Sequence, residues 1–441
     1  MSTYAEFLAS KRRRVQPAGR PVEPGAVHPM LHEWQRRIVA WAVRTGRCAL
    51  WADTGLGKTL MQLEWARLSG DRALIVAPLA VCEQTVREAA KIGADARYVR
   101  TDSDADGPGI WVTNYEMATR FAPEKLDAVV LDEASILKAH DGKTRTALIR
   151  HFASVPHRLA ATATPAPNDV EELTNQAEFL GVMPRVEMLA TYFVRDGKSN
   201  RWRVKGHARE PMARWMSGWA LALRRPSDIG GDDAGYELPG LDILSHLVPV
   251  DALRDAPEGE LFAAGLGGVG GRAKVRKATM DARCARAAEL VAAEPGEAWI
   301  LWCGLNTEAE RLAALVPGAI NVHGALSPEE KAAALLDFAD GRTRVLITKP
   351  SIAGYGLNFQ RCARMAFVGL SDSYEQYYQA IRRSYRHGQQ RPVHAHVVLS
   401  ELEAPIADNV RAKETEAARM IGDLVAAMRP AWAADPEGTA A

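Results

Sequence analysis

Apolar positions in this chain gather into short solid runs, separated by stretches with helical spacing. The run Arg47 to Trp51 reads as a buried strand. After it, Leu60, Leu63, Ala66 and Leu68 fall on one helical face, and Gly70 stands where that helix would end. Four more β-like runs follow: Arg72–Ala77, Gly109–Thr113, Leu126–Leu131 and Arg158–Ala163. Helical segments lie between most of them, and such alternation predicts a parallel α/β sheet. A helix from Leu31 to about Val43 precedes the first run.

A second series starts late in the chain. A helix from Ala278 to Ala293 leads into the runs Ala298–Cys303, Thr343–Thr348, Arg364–Gly369 and Val393–Leu399. Between the two series the alternation lapses. The expectation is therefore an α/β protein of two parallel-sheet lobes with a basic insertion between them. Its segments are a lead-in over 1–27, a first lobe over 28–180, and an insertion and linker over 181–275. A second lobe follows over 276–400, then a C-terminal helix and tail over 401–441. The length, 441 residues, agrees with a soft prior of about three domains. The five glycines of Gly265–Gly271 read as a flexible connection, and no Lys-Ser/Thr follows them as a phosphate loop would need.

The chemistry concentrates where the first strand meets its helix, at Ala52-Asp53-Thr54-Gly55-Leu56-Gly57-Lys58-Thr59. Strand, glycine loop and helix in that order form the context of a phosphate-binding loop. Gly55 and Gly57 let the backbone turn its N–H groups inward, and the helix N-terminus adds partial positive charge. Lys58 would reach the β- and γ-phosphates, and the Thr59 hydroxyl would ligate Mg²⁺. Ala52 takes the place of the usual first glycine. A Gly-rich turn followed by chance by Lys-Thr would look the same without its strand and helix; here both are present. The run Leu126–Leu131 ends in Asp132-Glu133. Asp132 would hold Mg²⁺, and Glu133 would orient and deprotonate the attacking water. Alone, such a pair is an ordinary strand end; after a phosphate loop it becomes the second half of a nucleotide site. Gln35, just upstream, is a candidate for reading adenine, since an amide both donates and accepts.

Composition narrows the partners. A formal net charge of +1 means that any nucleic-acid surface must be a local patch. From Val194 to Arg225 nine Lys/Arg face two acids, with Trp202, Trp215 and Trp219 interleaved. Basic residues neutralise phosphates and aromatics stack on bases, so Arg201, Arg203 and Lys205 are candidate contacts. The competing reading is a solvated hairpin followed by an amphipathic helix, Met212 to Leu223, whose Trp residues pack inward. Lys11-Arg12-Arg13-Arg14 is more simply a solvated segment. The five cysteines are far apart with no Cys-x-x-Cys, so neither a zinc site nor a disulfide framework is indicated. No apolar run approaches the ~18 residues of a membrane span. The first residues lack the apolar stretch of a secretory signal, so a cytoplasmic location is expected.

Several stretches fall in a familiar order: Asp53 to Thr59, Ala73 to Leu79, Thr113-Asn114-Tyr115-Glu116, Asp132-Glu133-Ala134-Ser135, and Arg158 to Pro165 with Asn168. Ala353 to Asn358 and Gln379 to Gln389 close the series, and Arg224-Arg225 with Leu238-Pro239 resembles a link into a second lobe. In this order they resemble a superfamily-two helicase with RecA-like lobes. The ending Arg386-His387-Gly388-Gln389 is most similar to the Swi/Snf-type DNA translocase branch. The small size and the run from Tyr4 into Lys11 resemble phage or prophage helicases.

The resemblance implies ATP and Mg²⁺ as cofactors and nucleic acid, double-stranded DNA above all, as partner. It implies Gln379, Arg383 and Arg386 beside Lys58 and Glu133 in catalysis, and Thr54 and Gly356 among the nucleotide contacts. Thr113 and His323 would join the nucleic-acid contacts. Arg383 and Arg386, three apart on a helical pattern, are expected to share a face and to meet the charge on the transferring phosphoryl group. The family usually has His where Ser135 stands, and glycine where Ala163 and Tyr355 stand. Three alternatives stay open: a strand-separating helicase, a non-hydrolysing ATP-gated clamp, and an ATPase with a protein partner.

Overall fold

Strands β1 (Arg47–Ala52), β2 (Arg72–Ala77), β3 (Ala96–Tyr98), β4 (Gly109–Asn114), β5 (Ala128–Asp132) and β6 (His157–Ala161) build most of one sheet. All five residues of β5 are buried, as are all but the first of β1, β2 and β4. Solid burial of this kind marks strands covered on both faces, which is why they read as unbroken apolar runs. Every pairing in this sheet is parallel, in the order β3-β4-β2-β5-β6-β1 with a seventh strand beyond β1. Their C-terminal ends therefore lie along one edge of the sheet, where α/β proteins place their ligands.

This computed structural model describes residues 16–138, 142–197, 201–249, 276–353, 358–371 and 373–434. The Lys11–Arg14 run, Gly265–Gly271, Tyr355, Gly356 and the end of the tail lie outside the described residues, and with them the nucleotide contact expected of Gly356.

The stretch Met212–Leu223 departs from the single helix expected of it. A helix covers Arg209–Met216, and after a turn Ala220–Leu223 forms a strand. A hairpin precedes it, β7 (Phe193–Arg195) against β8 (Trp202–Val204), so the later strand is β9. β9 lies parallel to β1, with Ala49 opposite Ala220 and Ala52 opposite Leu223. A ladder along β1 with all four residues buried outweighs the helix preference of Ala and Leu. Trp219 is wholly buried, edge-on to Trp51 at 5.8 Å and to Trp215 at 5.4 Å. Two of the three tryptophans offered for base stacking are thus core.

Residues 1–236 and 415–441 make one compact unit, and 237–414 a second. The described part of 181–275 is shared between them. Up to 236 it supplies β7, β8 and β9 to the first unit, and beyond that β10 (Leu241–Val248) to the second. The helix Ala404–Ala434 returns to the first unit from residue 415 onward. There Met420, Leu424, Val425 and Met428 enter the core, the Ala222 N–H meets Met428 Sδ at 3.5 Å, and Arg37 donates to the Trp432 carbonyl at 3.1 Å.

The second unit repeats the plan. Strands β11 (Trp299–Cys303), β12 (Ile320–Val322), β13 (Val345–Thr348), β14 (Arg364–Val368) and β15 (Val393–Ser400) join β10 in the order β10-β15-β14-β11-β13-β12, all parallel. Two parallel α/β sheets are the fold expected from the sequence. Arg283 and Glu308, both wholly buried, meet at 3.0 Å. Arg276 and the N–H groups of Gly304 and Leu305 also donate to that carboxylate. These bonds offset the cost of burying the pair and hold the Glu308 carboxyl below its ordinary range in spite of burial.

Candidate active site

The loop after β1 runs from Asp53 to Gly57 and opens the helix Lys58–Leu68. Gly55 and Gly57 have φ of 87° and 77°, in the region that favours glycine. At Gly57 a side chain has no room either, since a Cβ there would lie 2.4 Å from Gln35 Nε2. That amide donates to the Leu56 carbonyl at 2.9 Å, while its oxygen accepts from the His32 N–H at 2.9 Å. Gln35, expected to read adenine, therefore braces the loop through its amide nitrogen and caps the start of its own helix through its amide oxygen. Lys58 Nζ folds back onto the Ala52 carbonyl at 2.8 Å, across the loop it would share with phosphates. Thr54 N–H caps onto Asp53 Oδ1 at 2.6 Å, and Thr59 sits half-buried in the first turn, where helix N–H groups lack intrahelical partners.

Two carboxylates end β5 on the same edge. Asp132 is buried, and Gln62 from the phosphate-loop helix donates to its Oδ1 at 2.8 Å. Burial raises the Asp132 carboxyl above its ordinary value, while the Gln62 bond and the Lys58 charge pull it back. Glu133 has φ of 58° and is the one described non-glycine residue with positive φ. Thr162, just past β6, donates its hydroxyl to Glu133 Oε2 at 3.1 Å and accepts from the Thr164 N–H at 3.1 Å. Tyr115, just past β4, donates its hydroxyl to the Asp132 carbonyl at 2.5 Å. Burial, with the Asp132 and Glu133 charges nearby, pushes that phenol well up, so it stays a donor. Ser135 is buried with its hydroxyl 3.4 Å from the Glu133 carbonyl. Lys58, Asp132 and Glu133 come together at this edge. Gln62, Tyr115 and Thr162 join them. Tyr115 and Thr162 lie in the stretches Thr113–Glu116 and Arg158–Pro165, each one step past an apolar strand, and Gln62 lies one turn into the loop helix.

Residues 32–173 match the DEAD/DEAH box helicase family, and residues 283–388 match the helicase conserved C-terminal domain. The chain belongs to the superfamily-two helicases. A search of curated proteins finds no match. Among solved structures it is similar to the Sulfolobus solfataricus SWI2/SNF2 ATPase core in complex with dsDNA. That match has 17% identity and a TM-score of 0.44, and it covers 91% of this chain and 99% of that one.

In the C-terminal domain of this helicase, the arginines do not share a helical face. The helix Tyr374–Ile381 ends before them, and turns with Arg383 N–H on the Ala380 carbonyl and Ser384 N–H on the Ile381 carbonyl replace it. Arg383 is buried and donates to Gln379 Oε1 at 3.1 Å and to the Gln379 carbonyl at 3.3 Å. Arg386 donates to Asn358 Oδ1 instead. Gln389 ties the turn down: its amide nitrogen reaches the carbonyls of Gln360, Cys362 and Ser384, and its oxygen accepts from the N–H groups of Gln390 and Arg391. The helicase therefore spends the last residue of the Arg-x-Gly-Gln pattern on structure.

The nucleic-acid candidates divide. Thr113 is wholly buried within β4, so its side chain is not a surface contact. Its strand neighbours Val112 and Asn114 are buried as well. Lys205 is committed to capping the helix Arg185–Tyr192, donating to the carbonyls of Ala190 and Thr191 at 2.8 and 3.1 Å. Arg201 and Arg203 are exposed, with acidic oxygens no nearer than 3.9 Å in their ion pairs with Asp169 and Asp196. His323 follows β12 and is half-buried. No described helix of this helicase is long and apolar enough to cross a membrane.

Proposed function

We propose that this superfamily-two helicase is an ATP-driven motor that tracks along double-stranded DNA, with DNA-stimulated ATP hydrolysis. The observation that carries the hydrolytic half is the convergence of Lys58, Asp132 and Glu133 on one edge of the first sheet. Hard oxygen donors, the Thr59 hydroxyl and the buried Asp132 carboxylate, fit Mg²⁺, and Asp132's raised pKa marks a charge that a cation would relieve. Bound Mg²⁺ would neutralise charge on the β- and γ-phosphate oxygens.

Lys58 would leave the Ala52 carbonyl for the phosphates. Glu133 would take a proton from water as the water oxygen attacks the γ-phosphorus. The bond to the bridging oxygen breaks, and ADP leaves with that electron pair. In the second unit, Gln379 holds Arg383 and Asn358 holds Arg386, the two arginines that the family resemblance assigns to phosphoryl charge. This reading makes the first unit the nucleotide-binding lobe and the second the helicase C-terminal lobe.

The preference for duplex DNA rests on the resemblance of Thr164-Pro165 with Asn168, and of the Arg386–Gln389 ending, to the Swi/Snf-type branch. The deciding experiment is the ATPase rate with duplex DNA, single-stranded DNA and RNA, beside displacement of a triplex third strand and separation of a fork. Stimulation greatest with duplex, and triplex displacement without efficient fork opening, support the proposal; equal stimulation by all three with efficient fork opening overturns it. The β7–β8 hairpin, with Arg201 and Arg203 exposed, supports the second reading, a strand-separating helicase whose wedge is that hairpin.

A further inference from the structure

Glu133 is held in a backbone conformation that a residue with a side chain adopts at a cost. Two bonds hold it there from opposite ends. Thr162 fixes the carboxylate. Tyr115 fixes the other end, because its hydroxyl bonds the Asp132 carbonyl, the oxygen of the peptide unit that leads into Glu133. A carbonyl pinned at 2.5 Å sets the plane of that peptide, and the plane sets where the Glu133 side chain departs.

Tyr115 is itself aimed. Asn114, buried at the end of β4, accepts through Oδ1 from the N–H groups of Glu116 and Met117 at 3.0 and 3.1 Å, closing a tight turn around Tyr115. Its Nδ2 donates to Tyr98 OH at 3.2 Å, so the turn is anchored to the neighbouring strand β3.

We propose that Tyr115 is a positioning residue for hydrolysis, holding the Asp132–Glu133 peptide so that the Glu133 carboxylate faces the attacking water. This rests on the reading of Glu133 as the base. Removing the hydroxyl leaves the ring and its packing in place, so the loss falls on geometry. Tyr115→Phe should lower kcat about tenfold, the scale of one well-made hydrogen bond, while KM for ATP stays unchanged. Affinity for ADP with aluminium fluoride, which mimics the transferring phosphoryl group, should fall in step with kcat, and affinity for a non-hydrolysable ATP analogue should not. In the Glu133→Gln background, adding Tyr115→Phe should change residual turnover no further, because the two act through one group.

A wild-type kcat in Tyr115→Phe overturns the inference. So does a rise in KM that accounts for the loss, or an equal further loss on top of Glu133→Gln. Wild-type protein without ATPase, or with ATPase that survives Glu133→Gln, overturns the reading of the base and the inference with it. Hydrolysis that needs Glu133 but ignores Tyr115 overturns the inference alone.

Discussion

Gln62 donates its side-chain amide to the buried Asp132 carboxylate at 2.8 Å, tying the helix that follows the phosphate loop to the end of β5. The bond orients the carboxylate that the proposed mechanism assigns to Mg²⁺. Gln62→Ala should weaken Mg²⁺-dependent nucleotide binding about tenfold, since a hydrogen bond to a buried charge is worth roughly 1.5–3 kcal/mol. Titration of an ATP analogue with and without Mg²⁺ checks it. Equal affinity in mutant and wild type would remove Asp132 from the metal site.

Lys58 and Glu133 should fail differently. Lys58→Ala removes the cation that bends over the loop, so nucleotide affinity and turnover should both be lost. Glu133→Gln keeps the shape and the Thr162 contact while losing the base, so ATP should still bind and turnover should fall by two orders of magnitude or more, about the worth of a general base. Wild-type hydrolysis by Glu133→Gln would mean that another group activates the water.

The basic stretch around the hairpin should separate into binding and scaffolding residues. Arg201→Ala with Arg203→Ala should weaken DNA binding and reduce the salt slope by up to about two, one per phosphate contact. Lys205→Ala should instead cost about 1 kcal/mol of stability, because its ammonium caps a helix. Binding isotherms over a salt series and denaturant melts distinguish the two. An unchanged slope in the double mutant would make the hairpin a bystander.

His396 gives the second unit a pH dependence. Its ring is buried beside His246 at 2.9 Å and near His394, and burial first, then those rings, push its pKa down to about 4. Arg364 pushes the same way and Glu294 opposes. The folded state thus binds fewer protons than the unfolded one between about pH 6.5 and 4. This contribution to stability is fully present above that window and is lost as pH falls through it. Denaturant melts across the window should show the decline, and His396→Asn should flatten it. An unaltered pH profile in that variant would place the titration elsewhere.

Much of this was legible because parallel strands buried on both faces must be solid apolar runs. Arg72–Ala77 is a strand with the ends its sequence suggests, and Lys58, Asp132 and Glu133 follow from what phosphate and water require at such strand ends. What stayed hidden depends on partners distant in sequence. Ala220–Leu223 carries no local mark of a strand; β1, far upstream, makes it one. Nothing in the spacing of Arg383 and Arg386 reports that the helix stops at Ile381, since the turn is held by Gln389 reaching carbonyls as distant as Gln360. Only the folded loop shows the Leu56 carbonyl beside the Gln35 amide.

The return of residues 415–434 to the first unit has a consequence for the order of events at the ribosome. Met420, Leu424, Val425 and Met428 complete a core whose other members all lie before residue 230. The nucleotide-binding half emerges first yet cannot close its core until the whole second unit has been synthesised after it. Until then it must wait with an apolar face uncovered, exposed to chaperones and to its own kind. A chain cut short after the last strand of the second sheet would therefore damage the half that was finished long before the cut.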